Sequence, residues 1–242
     1  MKIDILAFGV HPDDVELGCA GTLITSIRQG KKAAIVDLTR GELGTRGTAE
    51  TRKIEAENAA KVIGVYCREN LEMADGFFQI NEENIRKVIT IIRKYQPEIV
   101  LCNALEDRHP DHGRSSKLVS DAAFLSGLRK VETTLNGKAQ EAWRPKNVFH
   151  YIQDRYLKPD FVFDISDVEA QKVQAILCYT TQFNTTDTSE PQTYISTPDF
   201  IDTIKGRALM LGKRIGVKYA EGYLTQKSIG IQNFDSLIHE TT

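Results

Sequence analysis

The sequence predicts an α/β fold: a mostly parallel sheet with helices on both faces and an elaborated C-terminal part. Three observations carry this expectation. Short apolar runs alternate with helical stretches along the chain. The runs are nearly continuous in Ile, Leu, Val and Phe, as in strands covered on both faces. The 242 residues, 41% of them hydrophobic, are enough for one domain with a sizeable core.

The elements follow in order. Ile3–Val10 reads as a buried strand, and Glu16–Gln29 as the helix after it, with Gly30 just past its end. Ala33–Thr39 and Ala49–Ile63 repeat the pattern, closed by Gly64. Asn70–Met73 is a weak strand before a helix over Asn81–Tyr95. In that helix Ile85, Val88, Ile89 and Ile92 fall at spacings of three and four, which makes one apolar stripe. Glu98–Asn103 is the fourth strand and Arg114–Leu128 its helix. Lys130–Lys146, with Asn136-Gly137 at its centre, is a surface excursion. Val148–Ile152 and Phe161–Ile165 read as strands, Val168–Cys178 and Pro198–Ile215 as helices. Thr180–Pro198 is rich in Thr, Ser, Asp and Pro and has no period. A loop that long in a compact domain is either mobile or functional.

Composition removes several classes of function. With 31 Lys plus Arg against 33 Asp plus Glu, the net charge of −2 gives no footprint for nucleic acid. No apolar run approaches the roughly 20 residues that span a bilayer. The first nine residues read as a strand without a cleavage site, so a cytoplasmic protein is expected. Cys19, Cys67, Cys102 and Cys178 are scattered, which suits reduced thiols and neither a disulfide framework nor a Cys-based zinc site. The sequon Asn184-Thr185-Thr186 is then a chance match. There is no G-x-G-x-x-G, no P-loop, no H-E-x-x-H and no G-x-S-x-G.

What remains are two similar turns. His11-Pro12-Asp13-Asp14-Val15-Glu16 follows the first strand, and Arg108-His109-Pro110-Asp111-His112 follows the fourth. Each alone is good capping chemistry, with an acidic residue at a helix start. Together they put three of the five histidines just after strand ends. In an open parallel sheet the first and fourth strands commonly flank the switch point where ligands bind. His, Asp and His converging there, with an open position, is the arrangement of a catalytic zinc.

The stretch Phe8 to Gly18, with His109-Pro110-Asp111-His112, resembles the LmbE/PIG-L zinc N-deacetylases, and the likeness runs from Ile3 to about Gly222. Thr39–Thr48, the Arg108–Arg114 form and the Tyr223 region are most similar to the branch serving bacillithiol biosynthesis, which deacetylates N-acetylglucosaminyl malate. The resemblance implies one LmbE/PIG-L-like deacetylase domain over 1–242. It implies a Rossmann-like hydrolase with one Zn2+ per chain on His11, Asp14 and His112. Asp13 is then the general base towards water, and His109 the acid or oxyanion stabiliser. Arg52 is the arginine for the sugar substrate. Tyr194, from the long loop, reaches the oxyanion, with Tyr179 and Tyr223 as competitors. Beside the resemblance, Arg46, Arg52 and Arg108 concentrate near the proposed site, which suits an anionic conjugate because guanidinium binds carboxylate in a fork. Glu42 is placed to hold a sugar hydroxyl. The family also implies a homo-oligomer, a trimer or a hexamer. Related substrates such as a chitooligosaccharide or a mycothiol-type precursor, iron in place of zinc, and a non-catalytic metal- or anion-binding protein remain open at this point.

Overall fold

The computed structural model describes residues 2–183 and 190–235; residues 184–189, which hold the sequon, lie outside the described residues. In chain order the elements are β1 (Ile5–Gly9), α1 (Asp14–Arg28), β2 (Ala33–Thr39), α2 (Ala49–Ile63), β3 (Cys67–Met73), α3 (Glu82–Tyr95), β4 (Ile99–Cys102) and α4 (Pro110–Leu125). The short strands β5 (Thr134–Leu135) and β6 (Lys138–Ala139) come next, then β7 (Asn147–Tyr151), β8 (Phe161–Asp164), α5 (Glu169–Leu177), α6 (Thr180–Phe183), α7 (Phe200–Gly212) and β9 (Ala220–Thr225). A 3₁₀ turn at Tyr194–Ser196 lies between α6 and α7.

Seven strands form one sheet in the order β3-β2-β1-β4-β7-β9-β8. The expected mostly parallel α/β architecture is present: β1, β2, β3, β4 and β7 run parallel, and only β9 is antiparallel to its neighbours. Alternation along β1 explains the two layers. Leu6 and Phe8 pack with Val88, Ile89 and Ile92 of α3 and Leu118 and Val119 of α4. Ile5 and Ala7 pack with Val15, Cys19 and Leu23 of α1. The Asn136-Gly137 excursion is a two-stranded hairpin with both turn residues at positive φ, as a type I′ turn requires.

Several boundaries differ from the sequence expectation and strand β9 was not expected; three of these differences shape the site or the sheet. Helix α1 begins at Asp14 rather than Glu16. Helix α4 begins at Pro110 rather than Arg114: proline suits the first helical turn, and the His109 ring caps it by accepting the Asp111 N–H, so the second motif lies inside the helix start. Strand β9, which the apolar pattern did not reveal, inserts between β7 and β8 and completes the C-terminal part of the sheet. Among the described residues no helix is long and apolar enough to cross a membrane.

Strand β1 lies between β2 and β4, with Ala7 opposite both Ile35 and Leu101. The chain moves to opposite sides after β1 and after β4. This opens a crevice at their carboxyl ends, and both His-Pro-Asp turns lie there.

Candidate active site

A cavity of about 310 Å³ occupies this crevice, lined by His11, Asp13, Asp14, His109, His112 and Gln153, with Leu43, Arg108 and Tyr194 among its other walls. The two motifs meet in it. Ring nitrogens of His11, His109 and His112 come within 4.8 Å of one another, and a second such set joins His11 with Asp75 and Asp111.

Asp14 turns back from the first turn of α1. Its Oδ2 accepts from the Val10 and His11 amides and from Asn103 Nδ2, and its Oδ1 accepts from Gln153 Nε2. His112 Nε2 lies 3.2 Å from Asp14 Oδ1, and His11 Nδ1 lies 3.7 Å from Oδ2. The outer nitrogens are held by other carboxylates. His112 Nδ1 meets Asp107 Oδ2 at 2.7 Å, and His11 Nε2 meets Asp75 Oδ1 at 3.0 Å. A carboxylate accepts only, so each outer nitrogen, at the shorter distance, donates; the inner nitrogen of a neutral ring then faces Asp14 with a lone pair, and that of a charged ring with a second hydrogen.

That arrangement tests the fit of a cation. An imidazole lone pair facing a carboxylate oxygen at 3.2 Å is repulsive unless a proton or a metal ion is shared between them. With a proton there, burial opposes the charge on His112, but Asp14 and Asp107 outweigh it and lift the pKa to about 9. For His11 burial is likewise overcome, by Asp111, Asp75 and Asp14, to about 10. Asp14 itself, despite burial, is held well below the usual carboxylate range by the His112 and His11 charges. The chemistry of the donor set, two imidazoles and one carboxylate with carboxylates behind both imidazoles, fits a divalent cation.

Asp13 is the cap residue of α1 in position only. Its φ of 123° lies outside ordinary L-residue space and its side chain makes no capping bond. Instead it is 5% exposed, and its Oδ2 meets Arg52 Nη2 at 3.2 Å. Burial pushes its pKa up to about 7, against the pull of Arg52. His109 accepts the Asp111 amide on Nδ1. The hydrogen of its neutral ring is then on Nε2. Burial and the charges of His11 and His112 lower its pKa.

The remaining expected residues divide. Arg52, also 5% exposed, lines the cavity; its Nη2 donates to the Pro12 carbonyl and to Asp13, while its Nε has no partner among the described residues. Arg46 is buried, binds the Thr181 and Pro191 carbonyls and is absent from the described cavity lining, because its role is to tie the 41–47 loop to the segment after α5. Gly47 belongs to the same tie. It has φ 72° and a Cβ there would lie 2.8 Å from Thr181 Oγ1, so a larger residue is excluded. Glu42 accepts the Asp75 and Arg40 amides within its loop and is likewise absent from the lining. Arg108 is at the mouth, 3.2 Å from Asp154 Oδ2 and stacked 4.4 Å from the Tyr194 ring centroid. Tyr194 is 53% exposed and donates to Asp154 Oδ1. Tyr179 and Tyr223, the alternatives to it, are buried in the core and are absent from the described cavity lining.

Sequence reasoning missed Asp75, Asp107, Asn103 and Gln153. The first two are isolated acids outside the paired motifs. Asn103 left a signal as the first polar residue after the apolar run of β4, whereas Gln153 left none.

Comparisons with known proteins bear on the family. The family model for GlcNAc-PI de-N-acetylase, PIG-L, matches residues 6–123, which include both turns. The diacetylchitobiose deacetylase of Thermococcus kodakarensis is 28% identical over 232 residues, covering 90% of this chain and 81% of that protein. An uncharacterized deacetylase of Escherichia coli, YaiS, is 32% identical over 161 residues, 63% of this chain and 83% of that protein. The 4-oxalmesaconate hydratase of Pseudomonas putida is 24% identical, covering 72% and 71%. Among solved structures, a conserved protein of Thermus thermophilus superposes with a TM-score of 0.84 at 32% identity, covering 95% of this chain and 98% of that one. With both turns inside the matched segment and 83% of a deacetylase covered at 32% identity, the chain belongs to the PIG-L, GlcNAc-PI de-N-acetylase, family.

Proposed function

We propose that this protein is a metal-dependent N-deacetylase that hydrolyses the acetamide of an N-acetylglucosaminide. The observation that carries the reading is the inward-facing pair of His112 Nε2 and Asp14 Oδ1 at 3.2 Å, with Asp107 behind the imidazole. His11, Asp14 and His112 are the residues that would hold the ion. Once bound, a divalent cation supplies Lewis-acid polarisation of the acetamide carbonyl and of water.

The protein's own groups do the rest. Asp13, ionised, takes a proton from the attacking water. Its near-neutral pKa lets it hold that proton and give it up within one turnover. Arg52 fixes the Asp13 carboxylate in place. His109, with Nδ1 engaged by the α4 backbone, offers its Nε2 hydrogen to the carbonyl oxygen or the departing amine. Zinc as the ion, the cytoplasm as its place and a homo-oligomeric state belong to the same proposal and rest on the resemblance.

The aglycone reading moves away from malate. A dicarboxylate calls for cations at the mouth, but Arg46 lies outside the cavity lining, Arg52 sits inside it beside Asp13, Arg114 is paired with Asp111, and Arg108 is paired with Asp154. A neutral sugar aglycone, as in the chitobiose-acting relative, suits this balance better. The test is acetate release from free N-acetylglucosamine, diacetylchitobiose and N-acetylglucosaminyl malate, with an unsaturated dicarboxylate offered in parallel for hydration. Diacetylchitobiose is expected to be turned over with the highest kcat/KM. Acetate release from none of the three, or hydration of the dicarboxylate alone, would contradict the reading.

A further inference from the structure

We infer that Asn103 and Gln153 are positioning residues that orient the Asp14 carboxylate for a cation, Asn103 helping to saturate its Oδ2 and Gln153 holding its Oδ1 turned towards His112. The inference rests on the metal-dependent reading above and adds two residues that no motif marks. Asn103 is fully buried at the end of β4. Its own Oδ1 accepts from the Val10 amide and the Ser115 hydroxyl, each at 3.0 Å. That fixes the amide so that Nδ2 points to Asp14 Oδ2, also at 3.0 Å. With the Val10 and His11 amides at 3.0 and 2.9 Å, Oδ2 receives three N–H donors, more than its two lone pairs can serve well.

Oδ1 differs. It has one donor, Gln153 Nε2 at 2.7 Å, and faces His112 Nε2 on its other side. Gln153 is 6% exposed, stands just after β7 and has no partner for its Oε1 among the described residues. A buried amide oxygen with no partner is a net cost, so packing alone gives no reason for a glutamine here. Its one bond is the one to Asp14. β1, β4 and the end of β7 thus each contribute to holding the carboxylate in its ligating orientation before any ion arrives. The organised state is prepaid in folding, and tighter metal binding follows.

The experiment is zinc affinity of the intact chain, measured by competition with a chromophoric chelator, together with the visible spectrum of the cobalt(II) form. Gln153→Leu removes the donor and orphans nothing except Asp14 Oδ1. It is expected to lower zinc affinity about 10–100-fold and to change the cobalt spectrum, while the metal-free protein melts within a few degrees of wild type. If Gln153→Leu fails to fold, Asn103→Ala gives the same reading through Oδ2. A purely structural role would lower melting while leaving affinity and spectrum at wild-type values, and that result would overturn the inference. The underlying reading fails separately: wild type would then bind no zinc, or His112→Ala would bind it as well as wild type.

Discussion

Asp13 holds a backbone conformation with φ 123° that costs about 1–3 kcal/mol in a residue with a Cβ. The Arg52 contact and the start of α1 hold it there, and the result is a carboxylate aimed into the cavity instead of at the helix amides. Two effects set its pKa. Burial raises it to about 7, and the Arg52 charge opposes the rise. A bound cation pulls the value further down. Asp13 accepts a proton only when ionised, so kcat/KM should fall as pH drops through a limb at or below about 7. Removing a positive charge raises an acid's pKa, so Arg52→Ala should move that limb to higher pH. Asp13→Asn should cost about 10²–10⁴-fold in kcat at every pH. A pH–rate profile of the three proteins checks this, and a limb unmoved in Arg52→Ala would mean that Asp13 is not the titrating group. At this scale the motif residues were legible because two short turns carry a dense set of metal-ligand chemistry. Asp107, Asp75, Asn103 and Gln153 were not, because each is one polar residue whose meaning depends on a partner that only the fold brings near.

Helix α1 was legible as a helix from its apolar spacing, yet its tolerance was not. A Cβ on Gly18 would lie 2.1 Å from Tyr151 Cδ2, and the Tyr151 ring cannot retreat: it is buried and its hydroxyl donates to the Phe8 carbonyl. Two effects compete in Gly18→Ala. Alanine favours the helix by about 1 kcal/mol, whereas overpacking costs about 1–3 kcal/mol or more. At 2.1 Å the clash wins. Thermal unfolding should show a loss of about 2 kcal/mol, roughly 4–8 °C in a chain of this size; a melting point at or above wild type would mean that α1 does not pack on β7 this closely. Strand β9 shows a different failure of legibility. Its buried Glu221 reads as a surface residue in sequence, but it accepts the Gly21 and Thr22 amides of α1 and pairs with buried Lys172. A carboxylate satisfied by partners about 200 positions away leaves no local periodicity to detect.

For the whole molecule, the parallel order of strands was readable because each strand run is followed by its own helix, and that order puts the first and fourth strands side by side. The crevice and its donors follow from this topology. The aglycone does not, because it depends on how the arginines near the mouth are paired, and pairing is a three-dimensional property: Arg108 and Arg46 look available in sequence, but in the fold Arg108 meets Asp154 and Arg46 binds the Thr181 carbonyl. In the proposed function one cation on His11, Asp14 and His112 supports acetamide hydrolysis. The most direct measurement is metal content alongside acetate release from diacetylchitobiose, before and after chelation and in His112→Ala. Each wild-type chain should carry about one divalent ion, acetate release should be lost on chelation and regained with added zinc, and His112→Ala should lose both metal and turnover. Undiminished acetate release from the chelated enzyme, or full metal occupancy in His112→Ala, would contradict it.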